Sequence, residues 1–140
     1  MPAYDQQNIF ARILRGEIPC QQVYEDATTL AFMDVMPQVD GHTLVIPKSS
    51  CRNLLDAEPA IFASLLASVQ KVARAAQVAF AAGGVLIKQF NEPAAGQTVF
   101  HLHVHVLPCH EGVPLRPHKG VMADQALLAR HAEMIRIALG

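Results

Sequence analysis

Cysteine is scarce in this chain: Cys20, Cys51 and Cys109 are odd in number, far apart, and contain no Cys-x-x-Cys pair. That excludes a disulfide framework, argues against a cysteine-rich zinc centre, and leaves three reduced, passive thiols as the expectation. Charge is scarce too. Only 16% of the 140 residues are charged and the formal net charge is -1, so there is no basic footprint for a nucleic acid polymer or an acidic membrane surface, although a small nucleotide needs only a local site. No apolar run reaches the ~18 residues of a membrane span, and the N-terminus MPAYDQQNIF lacks the basic-then-apolar layout of an export signal. The expectation is a soluble cytoplasmic protein without membrane or nucleic acid partners. Low-complexity tracts and internal repeats are also missing, while 51% of the residues are hydrophobic. The length suits one folded domain over residues 1–140.

The elements follow from hydrophobic period and from proline and glycine placement. Ile9, Phe10, Ile13 and Leu14 sit at helical spacing before Gly16, so a short helix is expected over Asn8 to Leu14. Gln22–Glu25 and Thr29–Met33 read as a hairpin around Asp26-Ala27-Thr28, the Met36-to-Gly41 segment as a loop, and His42–Ile46 as a buried strand stopped by Pro47. A long helix opens near Pro59, carries Phe62, Leu65, Leu66, Val69, Val72, Ala76 and Phe80 along one face, and meets its stop at Gly83-Gly84. Val85–Phe90 and Val99–Leu107 are two further strands. Strands cluster before and after one helix, which favours an α+β fold with a mostly antiparallel five-stranded sheet. The tail from Cys109 to Gly140 is irregular at first and then helical over Met122 to Leu139, with an apolar stripe that must dock on its own domain or on a second subunit.

The most informative residues are His101, His103 and His105, which alternate with Leu102 and Val104. On a strand this period turns the three imidazoles to one face and Leu102, Val104 and Val106 to the other. Three chemistries compete. A shared metal ion would draw together side chains spaced by strand repeats of roughly 6.6 Å, which demands strong bending of the outer pair. Ordinary polar residues on a half-exposed face are the bland alternative. The third is nucleophilic attack on phosphorus, with one imidazole making the bond and its neighbours hydrogen-bonding the phosphate oxygens. The loop before the strand supplies Gly96, where backbone can approach a phosphate, and the donors Gln97 and Thr98. His110, His118 and His131 are expected on the surface or in the tail.

The run Gly96-Gln97-Thr98-Val99-Phe100-His101-Leu102-His103-Val104-His105-Val106-Leu107-Pro108 resembles the signature of the histidine triad (HIT) family, His-φ-His-φ-His-φ-φ with φ apolar. Asn8-Ile9-Phe10, Gly16-Glu17-Ile18-Pro19, Ala31-Phe32-Met33-Asp34, Pro37 to Lys48, and Asn91-Glu92 extend the likeness in the same order, over about residues 8–108. The resemblance implies a nucleotide-binding HIT-like fold, usually a homodimer, acting at the α-phosphate of a purine nucleotide. By position, His103 is the implied nucleophile, forming a covalent nucleotidyl-histidine. His105 is implied to bond the phosphate, and His101 to order the strand and offer its carbonyl to the His103 ring. Gln97 and Thr98 match positions at the phosphate and leaving group. Asp34 matches the ribose carboxylate; Ile9, Phe10, Ile13, Phe32 and Val35 match the base slot, with Asn91 lining it; His42 matches a supporting position behind the triad. No cofactor and no catalytic metal is implied. Where some bacterial members carry a zinc-binding Cys-x-x-Cys this chain has Asn8 and Ala11, and it has no Trp for the tail of the eukaryotic phosphoramidase branch. The expected activity is hydrolysis of nucleoside phosphoramidates or related conjugates; a dinucleoside polyphosphate hydrolase and a binding module with little catalysis are the alternatives.

Overall fold

The computed structural model describes residues 1–117 and 120–140, so His118 lies outside the described residues. A six-residue helix, α1 (Ile9–Leu14), opens the fold, and Asn8 closes its first turn by accepting from the Ala11 amide at 2.9 Å. The hairpin of β1 (Gln22–Glu25) and β2 (Thr29–Met33) turns at Asp26, whose carboxylate accepts from the amides of Thr28 and Thr29 and from the Tyr24 hydroxyl. Burial pushes that carboxyl up, but these bonds outweigh it and hold it well below the usual carboxylate range.

Strand β3 (Thr43–Pro47) pairs with β2, and the long helix α2 (Phe62–Ala79) follows a 3-10 turn at Pro59–Ile61. Strands β4 (Gly84–Lys88) and β5 (Val104–Cys109) and a last helix, α3 (Gln125–Leu139), complete the chain. The sheet order is β1-β2-β3-β5-β4 with every pair antiparallel. The α+β architecture expected from the sequence is therefore the one observed.

Side chains alternate across the sheet even where both faces are buried. Ala31, Met33, Val45, Val104 and Val106 join Leu65, Val69, Val72 and Ala76 of α2 and Leu128, Ala132 and Ile135 of α3 in one core. Leu30, Phe32, Leu44 and Ile46 face the other way, against Phe10 of α1. That thinner second layer is where the histidines lie.

Several boundaries differ from expectation, among them β3, which is shifted by one residue to Thr43–Pro47, and β4, which ends at Lys88 instead of Phe90. The histidine strand begins at Val104 instead of Val99: its pairing with β3 ends at Val45–Val104 and its pairing with β4 at Lys88–His105, and Leu102 instead donates its amide to the Cys51 carbonyl at 2.9 Å. It also runs through Pro108, which is tolerated because β3 pairing ends at Val106 and only β4 remains alongside. The α2 helix ends at Ala79, and the left-handed residue after it is Ala81 (φ 49°), ahead of the two glycines. Finally, α3 starts at Gln125, and its apolar stripe docks on its own domain: Leu128, Ala132 and Ile135 are buried, and His131, expected at the surface, is buried edge-on against the Phe80 ring at 5.1 Å. Among the described residues no helix is long and apolar enough to cross a membrane.

Candidate active site

The cleft between α1, the end of β2 and the start of β5 gathers most of the residues singled out in the sequence. Ile9, Phe10, Ile13, Phe32, Asp34, Val35, Thr98, His103 and His105 all line it. Apolar side chains of α1 and β2 form one wall, with the imidazoles at the other end.

The three histidines of the triad are unequal, and their hydrogen bonds say how. His101 is fully buried; its Nε2–H donates to the Pro47 carbonyl at 2.8 Å and its Nδ1 accepts from the Tyr4 hydroxyl at 2.6 Å. Desolvation drives its pKa down to about 4, so it is a neutral structural strut. His103 donates Nδ1–H to the His101 carbonyl at 2.6 Å, the bond that the family resemblance implies. In the neutral ring this leaves the electron pair on Nε2. Phe10 packs edge-on against the His103 ring at 5.0 Å and fixes its plane.

His105 has the opposite tautomer, set from behind. The Gln38 amide donates to Nδ1 of His42 at 3.0 Å, so neutral His42 carries its proton on Nε2. That nitrogen lies 2.9 Å from Nδ1 of His105 and 3.4 Å from Oδ2 of Asp34. His105 Nδ1 is then the acceptor, and its proton resides on Nε2. The two rings are therefore opposite tautomers, His103 with its proton on Nδ1 and His105 with its proton on Nε2.

Asp34 is buried at the end of β2, where Oδ1 accepts from the Met36 amide at 2.9 Å while Oδ2 leans towards His42. It combines turn-forming with a place on the cleft wall. Among the described residues, Asp34, His42 and His105 are those whose donor atoms lie close enough, within 4.8 Å of one another, to hold a cation. Their 2.9 Å nitrogen pair has the spacing of a shared proton.

Three expected contacts fall elsewhere. Gln97, assigned to the phosphate, is buried and turned inward: its Oε1 accepts from the Glu92 amide (2.8 Å) and Asn53 Nδ2 (3.0 Å), and its Nε2 donates to the carbonyls of Arg52 (2.8 Å) and Val99 (3.0 Å). Asn91 does not line the base slot, because its amide group bridges Gln89 and the Leu54 amide. Gly96 contributes a left-handed turn (φ 97°) behind Thr98 and does not itself line the cleft. His42, to which the resemblance gave a supporting position, is buried against His105.

The HIT domain family model matches residues 15–112. The chain belongs to the HIT family. A crystal structure of a HIT-like protein involved in cell-cycle regulation from Bartonella henselae is similar at TM-score 0.92 and 48% identity, covering 97% of this chain and 99% of that one. An uncharacterised HIT-like protein of Mycobacterium tuberculosis is 42% identical over 114 residues, 81% of this chain and 79% of the relative. Adenylylsulfatase HINT3 of Arabidopsis thaliana is 35% identical over 103 residues, 74% of this chain and 52% of that protein. The HIT chain is thus a nucleotide hydrolase or nucleotide-binding protein by family.

Several supports of this HIT site have no signal in the sequence. Tyr4 reaches His101 across 97 positions, from a segment without any regular element. Arg52 pairs with Glu92 through two bonds of 2.7 and 3.0 Å, Asn53 adds a third at 2.6 Å, and the Arg52 guanidinium stacks 4.0 Å from the Phe100 ring centre. The Arg52 hydrogen bonds hold the Glu92 carboxyl below its usual range. Together with Gln97 they clamp a loop in which Glu92 itself adopts φ 75°, a conformation that side-chain-bearing residues rarely take.

Proposed function

We propose that this protein is a nucleotidyl hydrolase that cleaves at the α-phosphate of purine nucleoside phosphoramidates, or related nucleotide conjugates, through a covalent nucleotidyl-histidine. The observation that carries the reading is the opposed tautomers of His103 and His105 on one cleft wall. In the first step Nε2 of His103 attacks phosphorus and the bond to the leaving amine breaks. That amine departs with the bonding pair and takes its proton from solvent. Positive charge gathers on the nucleotidylated imidazole, where Nδ1–H keeps its bond to the His101 carbonyl. The Nε2–H of His105 and the Thr98 hydroxyl are donors for the phosphate oxygens and the bridging atom, where transition-state charge is spread. In the second step water attacks the same phosphorus, releasing the nucleoside monophosphate and the free imidazole.

The carboxylate of Asp34 suits a ribose diol, and Ile9, Phe10, Ile13, Phe32 and Val35 suit the base. No step calls on a metal. The three cysteines are free, as suits a reducing cytoplasm. The homodimer reading rests on the family and on the outer strand β4, whose Leu86 and Ile87 are exposed, and no longer on the α3 stripe, which its own domain covers.

The test is a turnover screen of adenosine phosphoramidates, adenylyl sulfate and dinucleoside polyphosphates, run with and without excess EDTA. Release of AMP that survives EDTA supports the reading. Tight AMP binding with no turnover across the panel would favour the binding module instead.

A further inference from the structure

We propose that Gln21 and Gln125 form a polar edge at the mouth of the cleft that reads the adenine base, an inference that deepens the nucleotide reading above and rests on it. The tail brings Gln125 there. The amide of Ala123 donates to the Val35 carbonyl at 2.9 Å, which ties the start of α3 to the residue after Asp34, and buried Leu128, one turn further on, lines the cleft. Gln21 is pinned from the other side, its carbonyl accepting from the Met33 amide at 3.0 Å. Both side chains line the cleft, and Nε2 of Gln21 donates to Oε1 of Gln125 at 3.1 Å.

The assignment to the base comes from what the other polar groups are doing. Asp34 serves the sugar, and Thr98, His103 and His105 serve the phosphate. Among the described residues, the two glutamines and the Cys20 thiol are the remaining polar side chains on a wall that is otherwise apolar. Burial lifts that thiol above its ordinary pKa, so it is protonated and a weak hydrogen-bonding group. The bonded amide pair keeps an acceptor, Oε1 of Gln21, beside N–H donors on both residues. A donor and an acceptor side by side match adenine, which presents an exocyclic amino group next to a ring nitrogen acceptor. On the edge that pairs the amino group with N7, hypoxanthine keeps the ring acceptor but replaces the amino donor with a carbonyl, and so loses the bond to Oε1 of Gln21. The bonds lie at an open rim, so the discrimination belongs at the low end for a bidentate contact, about fivefold.

The experiment is calorimetric binding of AMP and IMP to the full chain and to its Gln21→Ala and Gln125→Ala variants, with thermal melting as a check on folding, beside turnover of the two matching phosphoramidates. Both residues are at least partly exposed, so the variants are expected to melt like the parent. The expected result is AMP bound about fivefold more tightly than IMP by the parent, with the ratio falling towards one in each variant. An equal ratio in the parent, or a preference untouched by both substitutions, overturns the proposal while turnover leaves the hydrolase reading standing. Selective AMP binding without turnover overturns the hydrolase reading and leaves this one. Failure to bind either nucleotide overturns both.

Discussion

Nε2 of His42 donates to Nδ1 of His105 across 2.9 Å, and that single bond decides which nitrogen of His105 carries a proton. The direction is set one residue further back, where the Gln38 amide occupies Nδ1 of His42. Removing the donor frees His105 to take the wrong tautomer. We expect His42→Ala to lower kcat at least about tenfold with little change in KM, short of the roughly 10²–10³ that deleting a transition-state donor outright costs. His42→Gln, whose amide can still donate to His105, should recover part of the rate. A purely structural role would leave the two variants alike in kcat once corrected for folded fraction.

Gln97 is predicted to act on the loop. Its carboxamide is fully engaged by Asn53, Arg52, Glu92 and Val99. Truncation strands several buried polar groups, each costing about 1–3 kcal/mol when unsatisfied. Gln97→Ala should therefore destabilise the fold by at least about 2 kcal/mol in urea melts and lower kcat through misplacement of Thr98. A variant of parental stability with a raised KM alone would return Gln97 to the phosphate.

Gly41 precedes His42 with φ 91°, and a Cβ there would sit 2.6 Å from the Phe80 ring and 2.9 Å from Pro108. Both the left-handed backbone and the close approach demand glycine. Gly41→Ala should cost about 2 kcal/mol or more, measured as a lowered denaturation midpoint, and should depress activity through the His42–His105 pair.

Stability should fall with acid because His101 is held neutral in the fold. Burial lowers the His101 pKa from 6.5 to about 4, so between those values the unfolded chain binds a proton that the native chain does not. Native stability is then full above about pH 6.5 and declines as the pH falls towards 4, with about 2 kcal/mol lost by pH 5. His131, lowered by the same cause, adds in the same direction. His101→Gln should flatten the slope of stability between pH 7 and 5; an unchanged slope would contradict the assignment.

How far the sequence reached depends on the distance over which each feature is determined. The hairpin at Asp26 and the alternation of Leu102, Val104 and Val106 against the histidines are local, and both were legible in the sequence. The true start of β5 was not, because it depends on where its pairing with β3 and β4 ends. The lining of the cleft by Phe10, Phe32, Asp34 and the histidines came from a family pattern spread over the chain. The inward turn of Gln97 could not be read, since its partners Arg52 and Asn53 sit more than 40 positions away and carry no motif. Tyr4 and Gln125 escaped for the same reason: each is placed by tertiary docking of a terminal segment.

The central claim is that Nε2 of His103 makes and breaks the bond to phosphorus. Its most direct measurement is an alkaline quench of the protein during turnover of a radiolabelled adenosine phosphoramidate, followed by peptide mapping. Label is expected on His103, up to one nucleotidyl group per chain, with neither label nor turnover in His103→Ala. Label on another residue, or parental turnover by His103→Ala, would contradict it.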